Sequence, residues 1–204
     1  MPQKPSHNGI KTVHLFVEKN RVPAFYPLLS RGIIVKTRVG CSVKTLICNY
    51  LGLSADYLEK RLQTIFLDGK AVDDTETTVV QEGAPLALSA AMPGLAGATL
   101  RRGSAYAAMR NQITHQNGTC GESTKDGTIC LKLFNLVAAD IGQLFLEKGV
   151  LISGRYLRDF FQSASDKIIS GIRSGEVDGV RMNTNQIANM DWEQTQVDLK
   201  LEAV

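Results

Sequence analysis

Between Gly83 and Gly121 the chain carries no acidic residue, yet it carries Arg101, Arg102 and Arg110 together with His115. A guanidinium is a planar, permanently charged fork that grips phosphate or carboxylate through paired hydrogen bonds. Around these arginines the run PGLAGATLRRGSAYAAMR is rich in glycine and alanine, whose small bulk lets a ligand or another backbone come close. One reading is therefore an anion- or nucleotide-binding site built on Arg101, Arg102 and Arg110. A plainer reading is a crossing between domains, its arginines solvated or paired with acids elsewhere, since no spaced motif frames the charges. A phosphate loop is not supported, because GLAGATLRRG lacks the Lys-Ser/Thr ending such loops need.

Other chemistries have fewer candidates. Cys120 and His115 would supply a thiol and a base, and with Cys130 three metal ligands, but their spacing matches no zinc pattern. They fall in HQNGTCGESTKDG, a run of turn formers that reads as a surface loop. His7 and His14 stand beside no motif that would make either a base. No GxSxG, HExxH or paired-carboxylate signature occurs, and Asp73-Asp74 follows a turn where water would solvate it. The expectation is a chain without catalytic residues, cofactor or metal.

Composition sets the class. The 204 residues are 44% hydrophobic and 21% charged, which suits folded globular domains rather than global disorder. A net charge of +3 does not by itself imply nucleic acid or an acidic membrane. No apolar run nears the ~20 residues that cross a bilayer. The start, MPQKPSHNGIKTV, has no apolar centre like that of a secretory signal, and the four cysteines include no CxxC. A cytoplasmic location with free thiols is expected.

The elements that would position these residues follow from periodicity. Val13 to Glu18 alternates as a short strand, and Pro23 and Pro27 mark a connection. Ile33 to Val39 is a half-buried strand with Lys36 and Arg38 outward. Ser42 caps a helix whose apolar stripe is Val43, Leu46, Ile47, Tyr50 and Leu51, and Gly52 stops it. Ser54 caps a shorter turn that buries Leu58 and Leu62. Ile65 to Leu67, Asp68-Gly69 and Ala71-Val72 form a hairpin, and a last strand from Pro85 sets Leu86, Leu88 and Ala90 on one face.

A four-stranded sheet closing on one helix is the economical way to bury that stripe. The run RLQTIFLDGKAVDDTETTVVQEGAPLALSAAMPG resembles the second half of ubiquitin and its relatives, the β-grasp fold, and is similar to the small sulfur-carrier subunits of molybdopterin and thiamine biosynthesis. The resemblance implies a β-grasp domain over residues 12–95. Carrier chemistry is not implied, because Pro93-Gly94-Leu95-Ala96-Gly97 has no free Gly-Gly end. A second resemblance, of LICNYLGLSADYLEKRLQTIFLDGKAVDD to a small ribosomal-type RNA-binding module, implies a basic face at Lys44, Lys60 and Arg61, which Asp56 and Glu59 dilute.

Residues 96–204 read as a separate α+β domain. Thr128 to Val137 is a strand. A helix from Asn135 to Lys148 has Val137, Ile141, Leu144 and Phe145 inward, with an extended stretch at Gln143 to Ile152 as the alternative. A long helix after Ser153 carries Tyr156, Leu157, Phe160, Phe161, Ala164, Ile168 and Ile172 down to Gly175. Val177 to Met182 is a strand, Asn183 to Trp192 a polar connection, and Val197, Leu199 and Leu201 alternate in a closing antiparallel strand.

The fold class is thus α+β. The expected function is a non-enzymatic adaptor whose ubiquitin-like half offers a sheet face or edge to a protein partner, with a homo-oligomer compatible. The alternatives are the arginine anion site and RNA binding at Lys44, Lys60 and Arg61, with no membrane partner.

Overall fold

The computed structural model describes residues 9–92, 94–106, 124–193 and 195–204. Its strands in chain order are β1 (Ile10–Val17), β2 (Ile33–Val39), β3 (Thr64–Leu67), β4 (Lys70–Ala71), β5 (Pro85–Ser89), β6 (Lys125–Leu133), β7 (Val150–Ser153), β8 (Ile172–Val177), β9 (Val180–Met182) and β10 (Gln196–Ala203). Its helices are α1 (Tyr26–Arg31, after a 3-10 stretch Lys19–Phe25), α2 (Val43–Thr45, continued by a π-helical turn Leu46–Tyr50), α3 (Ala55–Lys60), α4 (Gly94–Leu100), α5 (Asn135–Lys148), α6 (Gly154–Ser163), α7 (Asp166–Ser170) and α8 (Thr184–Ala188). The α+β class follows directly. The elements gather in two compact units, a middle unit Gly32–Asp140 and a split unit Met1–Arg31 with Ile141–Val204. Where the sequence suggested a boundary at residue 95, the chain passes between units at residues 31/32 and again at 140/141.

In the middle unit the strand order is β4-β3-β5-β6-β2. The β5–β6 pair is parallel and the other pairs are antiparallel. Register aligns two apolar rows on one face, Leu67–Leu86–Leu131–Ile33 and Ile65–Leu88–Leu133, all at most 1% exposed. Val43, Leu46 and Ile47 from α2 and its π turn are fully buried, as the stripe requires. Ser42 caps α2 as expected, its Oγ accepting from the Thr45 N–H at 3.2 Å. Tyr50 departs from the stripe and is 37% exposed, because the wider π turn rotates the last residues out of 3.6-residue phase. Asp68 (φ 52°) and Gly69 (φ 75°) form a two-residue hairpin of the kind that needs positive φ at both corners.

Within the split unit the order is β7-β10-β1-β8-β9, again with one parallel pair, β10–β1, and antiparallel pairs elsewhere. Asp178 (φ 51°) and Gly179 (φ 77°) make a second two-residue hairpin. Each unit therefore holds five strands with the same sequence of pair directions, a helix after the strand at one end of its own order (β2 or β7), and an Asp-Gly corner at the other end. In the middle unit the parallel pair is two strands consecutive in sequence. In the split unit it joins the first and last strands of the chain.

Four expectations are corrected here. The Val13–Glu18 strand forms as β1, but it pairs with β8 and β10 in the split unit, and β6 completes the sheet over α2 instead. The closing strand β10 is antiparallel only to β7 and parallel to β1, so it is central, with Asp198, Lys200 and Glu202 on its solvated side. The long helix after Ser153 breaks at Ala164 (ψ 134°) and Ser165 (ψ 158°), so Ile172 and Gly175 belong to β8. Leu144 of α5 is 39% exposed, the helix instead turning Ala138, Ile141, Phe145 and Leu146 inward. The glycine at 142 explains the register. A Cβ there would lie 2.7 Å from Leu29 Cδ1 and 3.1 Å from Tyr26 Cδ1, so α5 approaches α1 closely. The polar connection Asn183–Trp192 contains α8, closed by a reciprocal cap between Asn183 and Gln186. It delivers Trp192 to the core, fully buried, its indole N–H donating to the Ile187 carbonyl at 3.0 Å.

Candidate functional site

The face of the middle sheet opposite the two apolar rows carries a trough. Phe66 pairs with Ala87, and Ala87 with Lys132, so these three form one row across β3, β5 and β6. Ala87 is the small member, and its neighbour two residues on, Ser89, is also small. Between them they leave a floor along β5. Phe66 walls one side, Lys132 and Phe134 the other, and Met92 stands at the end. The resulting cavity is about 410 Å³, a size that takes a large side chain or a small organic group. Phe66, Ala87, Met92, Lys132 and Phe134 are all half-buried.

Local chemistry fixes each wall. Asn135 follows Phe134 with φ 50°, a conformation asparagine tolerates better than most side chains. Its Nδ2 donates to Ser89 Oγ at 3.1 Å and so ties the end of β6 to β5. Met92 is held by α4, where a Cβ on Gly97 would clash with the Met92 carbonyl, so only glycine permits the approach. The aliphatic stem of Lys132 lies over Gly32, its Cε 3.4 Å from where a Cβ on Gly32 would stand. No acid pairs with Lys132 among the described residues.

Of the arginine segment, Arg101 and Arg102 are among the described residues. Arg102 Nη2 donates to the Leu58 carbonyl at 2.9 Å and lies 3.4 Å from Glu59, and its side chain is 12% exposed. Its backbone N–H donates to the Gln63 carbonyl at 2.8 Å, and Gly103 N–H to Asp73 at 3.2 Å. Arg102 thus fastens the stretch after α4 to the end of α3. Arg101 is exposed on the turn beside it. Arg110, His115 and Cys120 lie outside the described residues, as does His7. The structure therefore places two of the three candidate arginines side by side, with Arg102 bonded to the Leu58 carbonyl.

The basic face suggested for RNA is matched by acids. Lys44 pairs with Glu76 at 2.5 Å, and Lys60 with Asp56 at 2.5 Å. Arg61 grips Asp140 through two bonds of 2.5 and 3.0 Å. The Arg61 guanidinium, helped by the Tyr57 hydroxyl at 3.2 Å, holds the Asp140 carboxyl below its ordinary range. Burial first, then the Asp140 charge, pushes the Tyr57 phenol up to about 12. His14 pairs with Glu202 at 3.3 Å on the solvated side of β1. Cys48 is half-buried, and desolvation raises its thiol. Among the described residues no three His, Cys, Asp or Glu side chains gather to hold a metal ion, and no helix is long and apolar enough to cross a membrane.

Sequence reading missed the trough, although its signal is visible in PLALSA. Leu86 and Leu88 alternate onto the inward face, and the small Ala87 and Ser89 that alternate with them mark a depression on the other. Lys132 and Phe134 join them only through the parallel β5–β6 pairing, which crosses some 45 residues of intervening chain. Compared with family models, with curated proteins and with solved structures, the chain matches none.

Proposed function

We propose that the middle unit is a β-grasp-like interaction module, and that the protein is an adaptor whose sheet face opposite the apolar rows receives a segment of a protein partner. Support for the fold reading is the helix crossing one face of a mixed sheet, followed by the Asp-Gly hairpin and the strand β5, in the order the ubiquitin resemblance implies. The strand that the resemblance needed before the helix arrives from after it, as β6. Support for the interaction reading is one observation, the trough of half-buried, mostly apolar side chains on the sheet face opposite the two apolar rows. Exposed apolar concavities of this kind are where soluble proteins meet partners. The paired state of Lys44, Lys60 and Arg61 makes RNA the poorer alternative.

Panning a displayed peptide library against the folded chain tests the reading. The expected result is a set of peptides competing for one site, with binding lost in Ala87→Glu. That variant fills the trough and sets a carboxylate opposite Lys132 in the ladder. A thermal melt within a few degrees of the parent shows that the variant is folded. Peptides insensitive to Ala87→Glu, or none enriched over a blank surface, overturn the proposal.

A further inference from the structure

The geometry points to an acidic peptide as the occupant of the trough, with a large apolar side chain on the Ala87–Ser89 floor and an Asp or Glu beside it reaching the Lys132 ammonium. This rests on the interaction reading above and specifies its partner. The floor and the Phe66, Phe134 and Met92 walls are apolar, so they favour an aromatic or branched aliphatic group and give its position no charge preference. Lys132 supplies the preference. Its stem lies along Gly32, its side chain is half-buried, and no acid of the described residues answers it. A cation partly withdrawn from water beside an apolar cavity gains from a carboxylate brought by the ligand, at shorter range and lower dielectric than in bulk water. A peptide carboxylate and a free small acid share this chemistry, and the probes below distinguish them.

Amide NMR titration of the full chain with synthetic peptides tests this. The first probe is acetyl-Gly-Asp-Phe-Gly-amide. The second is its uncharged twin with Asn for Asp, and the third is free acetyl-phenylalanine. The expected result is that the acidic peptide shifts the amides of Phe66, Ala87, Lys132 and Phe134 and binds about 3- to 10-fold tighter than its twin. The ratio should fall towards one in Lys132→Gln and shrink as salt is raised. Equal binding of the two peptides at these amides overturns the acidic occupant and leaves the docking face standing. Binding of the free acid without the peptide overturns the peptide in favour of a small carboxylate. Shifts confined to other residues, or none from any probe in a folded protein, overturn both this inference and the reading it rests on.

Discussion

Replacing Arg102 by alanine separates a strut from an anion ligand. The side chain is 12% exposed and donates to the Leu58 carbonyl at 2.9 Å, close to the end of α3. A hydrogen bond from a charged donor to a backbone oxygen contributes about 1.5–3 kcal/mol, and its loss leaves that carbonyl without this donor. The 3.4 Å contact with Glu59, which is 64% exposed, adds little, as exposed pairs do. The backbone bond from Arg102 N–H to Gln63 survives the substitution. The expected loss is about 2 kcal/mol, which for a chain of this length lowers Tm by roughly 4–8 °C. Circular dichroism melts of parent, Arg102→Ala and Arg102→Lys measure it. Lysine keeps the stem and charge but not the fork, so its Tm should fall between the other two. An Arg102→Ala melt within about 1 °C of the parent would refute the strut argument. So would a parent Tm that climbs with inorganic phosphate while the variant's does not, since that ligand-linked rise would assign the guanidinium to an anion site.

Three further expectations are simpler. Asp140 carries a lowered pKa because Arg61 and then Tyr57 bond its charged form, so it contributes stability above the unfolded carboxylate value near about pH 4 and loses it as pH falls through the lower folded value. Melts of parent and Asp140→Asn should therefore differ at neutral pH and converge in acid. Gly69→Ala and Gly179→Ala meet no steric neighbour, yet both corners sit at φ 75° and 77°, so each should cost about 1 kcal/mol by denaturant titration, through backbone strain alone. Ile47→Ala empties a fully buried site in the stripe over the middle sheet and should cost about 2–5 kcal/mol, read by the same titration.

Much of the local structure was legible because it depends on neighbours a few residues apart. Ser42 and Ser54 cap their helices, Asp68-Gly69 turns its hairpin, and Val13, Leu15 and Val17 alternate into a core, each from short-range geometry alone. The Asp178-Gly179 corner is equally written in Val177-Asp178-Gly179-Val180, where the flanking apolar residues also suit one continuous strand. The break at Ala164 was obscured because Ile168 and Ile172 continue the helical spacing of Phe160 and Phe161 across it.

The sequence by itself determined the strands β1, β2, β3, β5 and β10 and the buried Val43, Leu46 and Ile47 stripe, because periods of two and 3.6 are written in consecutive residues. Tertiary structure alone decided which strands pair. Whether β1 or β6 completes the middle sheet depends on closing long loops against the burial of whole faces, and alternation along either strand is the same in both cases. That choice also made the site, since Lys132 and Phe134 reach Ala87 and Ser89 only across the parallel β5–β6 pair.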